Sequence, residues 1–162
     1  MDGLTMLYTR RSIRNYKPDP VSDDIIARIV KAGQLAPTGR NVQATHFVAV
    51  KDAATRSTIA GLATNGKFIA SAPVCILVFS EDTKYYLEDG AAATENMLLA
   101  ARYFGLGSCW IAGDKKEYAD GIREACGMPP EFKLVAIVAV GYPPDVNVFK
   151  ERPIRRTAYK VI

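Results

Sequence analysis

VCILVFS at Val74–Ser80, set off by Pro73, and KLVAIVAVG at Lys133–Gly141 are unbroken apolar runs of strand length. A strand with one wet face alternates apolar and polar residues, so a run without alternation marks a strand buried on both faces. Both runs therefore need cover on either side, and the segments around them supply it. Between the two runs lies the longest helical stretch, about Tyr85 to Phe104. Its GAAATENMLLAA segment, Gly90–Ala101, is small and apolar around much of its circumference. A helix apolar all round is buried, and in a chain of 162 residues burial on every side implies that a neighbouring subunit contributes. Gly105 ends that helix as a C-cap. SCWIAG, Ser108–Gly113, reads as a short strand. Asp114 then caps a further helix, with Glu117 three residues on as a capping-box partner, an inner stripe of Tyr118, Ile122, Ala125 and Cys126, and Gly127 as its stop.

Upstream, residues 4–10 predict a short helix leading into RRSIRNY. Pro18 and Pro20 break the chain, and Ser22 caps a helix whose Asp23 and Asp24 suit the positive end of the dipole. Ile25, Ile26, Ile29, Val30, Ala32 and Leu35 form its apolar stripe, and Pro37 ends it near 34–36. APTGRN at Ala36–Asn41 is a loop, HFVAVK at His46–Lys51 a strand, and Asp52 to Ala63 a helix with Ile59 and Leu62 inward. The tail TAYKVI, Thr157–Ile162, reads as an edge strand after a charged, irregular stretch. The order is α, α, β, α, β, α, β, α, β and a detached last strand, which predicts a helix-flanked α+β sheet in one domain spanning 1–162.

Composition narrows the chemistry. Apolar residues make up 49% and charged residues 23%, as in ordinary globular domains. A chain this long buries only about 68–70% of its unfolded surface, which leaves little room for a deep cavity enclosed by one subunit. The net charge of +4 and pI near 9.0 suit an anionic ligand. Cys75, Cys109 and Cys126 are odd in number and lack CxxC spacing, so reduced thiols and a cytoplasmic, reducing compartment are expected. MDGLTMLYTRRS has no apolar leader, and no run reaches the roughly 18 residues of a membrane span.

The one histidine, His46, falls in a strand, and no Cys/His spacing suits a metal. GxSxG, HExxH and GxxxxGK[ST] are absent. GLG at Gly105–Gly107 joins a helix to a strand, the reverse of a dinucleotide fingerprint, and Trp110 stands where the third glycine belongs. A cofactor carrying the difficult chemistry fits this lack of acid, base and nucleophile sets.

Four stretches offer contacts to such a group. In Thr9–Tyr16, Arg10 and Arg14 share one face if the segment is helical, with Ser12 between and Arg11 beside; an anion there would turn like-charge repulsion into paired hydrogen bonds. A solvated basic face is the plain alternative. Thr38, Asn41 and Gln43 bring a hydroxyl and two carboxamides to one loop, suited either to a ligand with donor and acceptor edges or to local turn bonding. In SCWIAGD, Ala112 and Gly113 present amide N–H groups beside small side chains, which admits a planar ring or forms an ordinary strand–helix junction. Lys150 and Arg152, with Arg155 and Arg156, give either a second anion contact or a solvated tail.

Taken together and in this order, these stretches resemble the nitroreductase family of FMN-dependent oxidoreductases. RRSIRNY is similar to that family's R-R-S-x-R motif, APTGRNVQATHF to its A-P-S/T-x-x-N-x-Q-P-W-x-F loop and strand, Asp89 to Ala101 to its long dimer helix, GLGSCWIAG to a G-L-G-S-C-W-I-G segment, and GYP to the end of its last core strand. The resemblance runs from about Leu7 to Pro143. It implies a mainly antiparallel or mixed central sheet, a homodimer with a domain-swapped C-terminal strand, and FMN shared between subunits. On this reading Arg10, Arg11, Ser12 and Arg14 hold the phosphate and ribityl end. Pro37, Thr38 and Asn41 reach the flavin from the partner, the backbone of Ala112 and Gly113 faces N5, and Lys150 or Arg152 adds a late phosphate ligand. NAD(P)H is the implied donor. The implied acceptor is a small planar molecule such as a nitroaromatic or quinone, reduced in ping-pong fashion without an obligatory side-chain acid.

Three departures stand out: Ala44 and Thr45 replace Pro and Trp, Glu95 stands where glutamine is common, and the chain lacks the helical excursion of longer members. Flavin-processing and dehalogenating relatives are alternatives on the same fold. A basic nucleic-acid-binding dimer is disfavoured, since the basic clusters lack interleaved aromatics and a recognised binding motif.

Overall fold

The computed structural model describes residues 1–154 and Lys160; the expected strand at 157–162, and Arg155 and Arg156, lie outside the described residues. Val74–Glu81 forms β2 and Phe132–Gly141 forms β4, paired antiparallel in the middle of a four-stranded sheet ordered β1-β2-β4-β3, where β1 is Thr45–Val50 and β3 is Gly107–Ala112. Every neighbouring pair is antiparallel. The unalternated apolar runs have the consequence expected of them: from Val74 to Ser80 and from Leu134 to Gly141 every residue is buried.

Each face of the sheet holds its own core. One contains Ile76, Val78, Val138 and Val140 beneath α2 (Asp23–Gln34) and α4 (Tyr86–Tyr103); the other contains Leu77, Phe79, Ile137 and Ala139 beneath α3 (Ala53–Leu62), a 3-10 turn at Lys67–Ser71, and α5 (Ala119–Ala125). The caps follow sequence logic. Ser22 accepts from the Ile25 N–H, and the Asp52 carboxylate accepts from the Thr55 N–H, keeping its pKa below the usual carboxylate value.

Some expectations need correction. Within the one chain, α4 buries Asp89, Gly90, Ala93, Thr94, Met97, Leu98 and Ala101 and leaves Tyr103 exposed, so burial on its remaining side falls to the expected neighbouring subunit. Leu35 and Leu62 fall off their stripes and are 72% and 40% exposed, and Ala125 is exposed. The capping box at Asp114 does not form. Helix α5 begins only at Ala119, because Lys115 adopts a positive φ of 54° and breaks the helical path. The Asp114 carboxylate instead accepts from the Tyr86 hydroxyl at 2.7 Å, and this bond pushes the Tyr86 phenol up to about 12.

The basic segment also departs from expectation. Helix α1, Gly3–Thr9, ends before it, and the chain then runs extended beside β3, joined by a parallel bridge between Ser12 and Ser108. Gly107 makes this docking possible: a Cβ there would lie 2.7 Å from Ile13 Cβ.

Candidate functional site

Extended backbone alternates its side chains, so Arg10, Ser12 and Arg14 share one side of the segment by period 2 rather than by a helical turn. Ile13 faces the other way, into Gly107. All three neighbour the buried Cys109 thiol. Burial pushes that thiol up, while the Arg14 and Arg10 guanidinium groups and a Ser12 hydrogen bond pull against the shift. Arg11 is out of phase, and its guanidinium turns back on the Arg10 carbonyl at 2.9 Å. Arg14 is exposed and lies 5.8 Å from the Phe68 ring centre. Arg10 is less exposed and meets Glu95 of α4 at 3.3 Å.

Alongside this segment, the outer edge of β3 opens into a groove of about 500 Å³. Arg14, Cys109, Trp110, Ala112 and Tyr118 line it. The strand register decides which amides it sees. Ser108 accepts from the Ile13 N–H at 2.9 Å and Ala112 accepts from the Tyr118 hydroxyl at 2.5 Å, so the backbone groups of Ser108, Trp110 and Ala112 point away from β4. Those of the alternate residues point inward, and the Gly113 N–H donates to Val135 O at 3.1 Å. At this turn the outward amide belongs to Ala112, while Gly113 is buried with its donor engaged.

The loop containing Pro37, Thr38 and Asn41 precedes β1, at the opposite edge of the sheet. Three strand spacings, roughly 14 Å at about 4.8 Å each, separate the two edges. The clefts beside the loop share no lining residue with the β3 groove. Within the loop, Thr38 Oγ1 accepts from the Gln43 N–H and Asn41 Oδ1 accepts from the Gln43 side chain. Arg40, Asn41 and Gln43 all have φ near 57°. Three non-glycine residues in the left-handed region within four positions is a strained conformation of the kind that clusters at functional sites. Asp89, buried on α4, holds the loop by accepting from the Gly39 N–H at 2.8 Å. Asp89→Ala should cost about 1 kcal/mol and expose that amide. Faster hydrogen exchange at Gly39 is the expected readout, and unchanged protection would deny Asp89 this role.

Lys150 and Arg152 are exposed. Among the described residues no three His, Cys, Asp or Glu side chains cluster as a metal site, and no helix is long and apolar enough to cross a membrane.

The groove's donors suit a phosphorylated planar ligand: the Arg14 guanidinium and the Lys116 ammonium, an outward Ala112 amide, and Phe68, Trp110 and Tyr118 around them; Arg10 and Ser12 lie on the neighbouring segment, outside the lining. A family profile described as "Nitroreductase family" matches residues 7–66 and 61–142. The chain belongs to the nitroreductase family. An Archaeoglobus fulgidus protein provisionally named NADH dehydrogenase/NAD(P)H nitroreductase is 38% identical over 155 residues, covering 91% of this chain and 89% of the relative. A crystal structure of a Bacteroides thetaiotaomicron protein of the same provisional name superposes with a TM-score of 0.88 at 29% identity, over 96% of this chain and 92% of that one. A Bacteroides fragilis nitroreductase solved with bound FMN gives a TM-score of 0.83 at 26% identity, over 100% and 99% of the two chains.

Within this nitroreductase-family chain, Asn65, Phe68, Lys116 and Tyr118 also line the groove, beyond the residues expected from the sequence. Asn65-Gly66 is a turn dipeptide, and that signal was available to place the exposed start of this segment near a site. Nothing local marks Tyr118, which sat on an expected helix stripe.

Proposed function

We propose that residues 1–162 act as one FMN-dependent oxidoreductase domain, transferring electrons from NAD(P)H to a small planar acceptor such as a nitroaromatic or a quinone. The observation that carries this reading is the convergence of Arg10, Ser12 and Arg14 beside a groove whose next feature is the outward Ala112 N–H. The family, and the FMN bound by the Bacteroides fragilis relative, support it. FMN, when bound, would supply the two-electron redox chemistry that links NAD(P)H to the acceptor.

The residues of the chain bind and orient. Arg10, Ser12 and Arg14 take the phosphate, with Arg11 supporting them through the Arg10 carbonyl and Arg152 or Lys150 as a further cation. The Ala112 amide would donate to the ring of bound FMN, with Gly113 fixing that amide's position through Val135. The separation of the 37–41 loop from the groove supports a homodimer, in which Pro37, Thr38 and Asn41 of one copy complete the site of the other. Three free thiols suit a reducing cytoplasm.

Purified protein should show a flavin absorption spectrum, and heat should release a pigment with the mass of FMN. Colourless protein that takes up no added FMN would end the reading. Donor and acceptor using one groove in turn should give parallel double-reciprocal rate plots; intersecting lines would reject the alternating order.

A further inference from the structure

Arg10 and Arg14 carry the same charge on the same side of one extended segment, yet their surroundings differ. Arg10 is engaged by the Glu95 carboxylate at 3.3 Å, with side-chain exposures of 25% and 44%. Arg14 has no carboxylate within 4.0 Å among the described residues. Glu95 sits on α4 and, like Arg10, outside the groove lining; among the described residues its one polar contact is this pair. A half-exposed ion pair of this kind contributes little to folding. Its effect on an incoming anion is larger. A guanidinium fork that serves a carboxylate must be shared or surrendered when a phosphate arrives, and the carboxylate also repels the phosphate across a partly shielded gap.

We propose that Glu95 is an internal competitor for Arg10 that sets how tightly the site holds a phosphorylated ligand. This rests on the reading that the groove takes FMN. Glu95 weakens the phosphate end selectively, leaving the ring end untouched, and so makes the cofactor exchangeable.

The test measures dissociation constants of full-length wild-type protein, Glu95→Gln and Glu95→Asp for FMN and for riboflavin, by flavin fluorescence quenching at low and high salt. Glu95→Gln keeps the shape and a hydrogen bond to Arg10 while removing the charge. It should bind FMN about five- to tenfold more tightly, with riboflavin affinity unchanged and the gain shrinking as salt screens the charges. Glu95→Asp keeps the charge and should stay near wild type. Equal FMN affinity in wild type and Glu95→Gln would overturn the proposal, as would a gain that riboflavin shares. If wild type binds riboflavin and FMN equally, or neither, the phosphate-site reading itself fails.

Discussion

Arg14→Ala should lower FMN affinity by about ten- to a hundredfold, because a charge-assisted hydrogen-bond pair to phosphate contributes on the order of 1.5–3 kcal/mol. The side chain is exposed, touches the Phe68 ring, and has no carboxylate partner among the described residues, so the fold scarcely depends on it. Its melting transition should stay within the roughly 0.5 kcal/mol typical of surface changes. Arg14→Lys should fall between, since a lysine restores the charge without the planar fork. Riboflavin binding should respond far less than FMN binding. Retention of FMN at wild-type strength in Arg14→Ala would remove Arg14 from the site. Loss of both FMN affinity and stability together would instead mean that it supports the segment along β3.

Gly113→Ala should destabilise the protein by about 3 kcal/mol, combining an overpacking cost of about 1–3 kcal/mol with loss of a buried hydrogen bond. A Cβ at this position would lie 2.7 Å from Leu134 Cγ, 3.0 Å from Leu134 O and 3.0 Å from the Val135 carbonyl carbon. The leucine side chain can turn aside, but the backbone of β4 cannot, since β2 and β3 pair with it on both edges. Relief must come from the 112–114 turn, which would break the Gly113 N–H bond to Val135 O and carry the Ala112 amide with it. For a chain of this size each kcal/mol corresponds to roughly 2–4 °C in melting temperature. Urea and thermal melts test the stability, and steady-state reduction rates test the displaced amide. A variant with an unchanged urea midpoint would show that the turn has slack the structure does not reveal.

The sheet was readable because its central strands carry their burial in their composition: six or more apolar residues in a row leave few alternatives to a doubly covered strand. The helix cap at Ser22 was equally local. What escaped the sequence was decided by distant partners. Asp114 carries a capping signature, but a tyrosine hydroxyl 28 positions upstream takes its carboxylate. In the sequence the basic segment is weighed only as a helix, and its extended conformation is set by the edge of β3, nearly a hundred residues away. For the candidate site, the side-chain types were legible in RRSIRNY and APTGRN, and the amide face of the 112–113 turn was not, because register alone determines which N–H points outward. Tyr118 lines the groove only because α5 starts late.

The strand order β1-β2-β4-β3 carries a consequence for biosynthesis. Of the two central strands, β4 is the last of the four to leave the ribosome. Until Gly141 has emerged, β2 keeps a bare apolar flank, β3 lacks its antiparallel partner β4, and the two cores cannot close. Nascent chains stalled before Phe132 should therefore be protease-sensitive clients of holdase chaperones, and those stalled well past Gly141 should become resistant in one cooperative step.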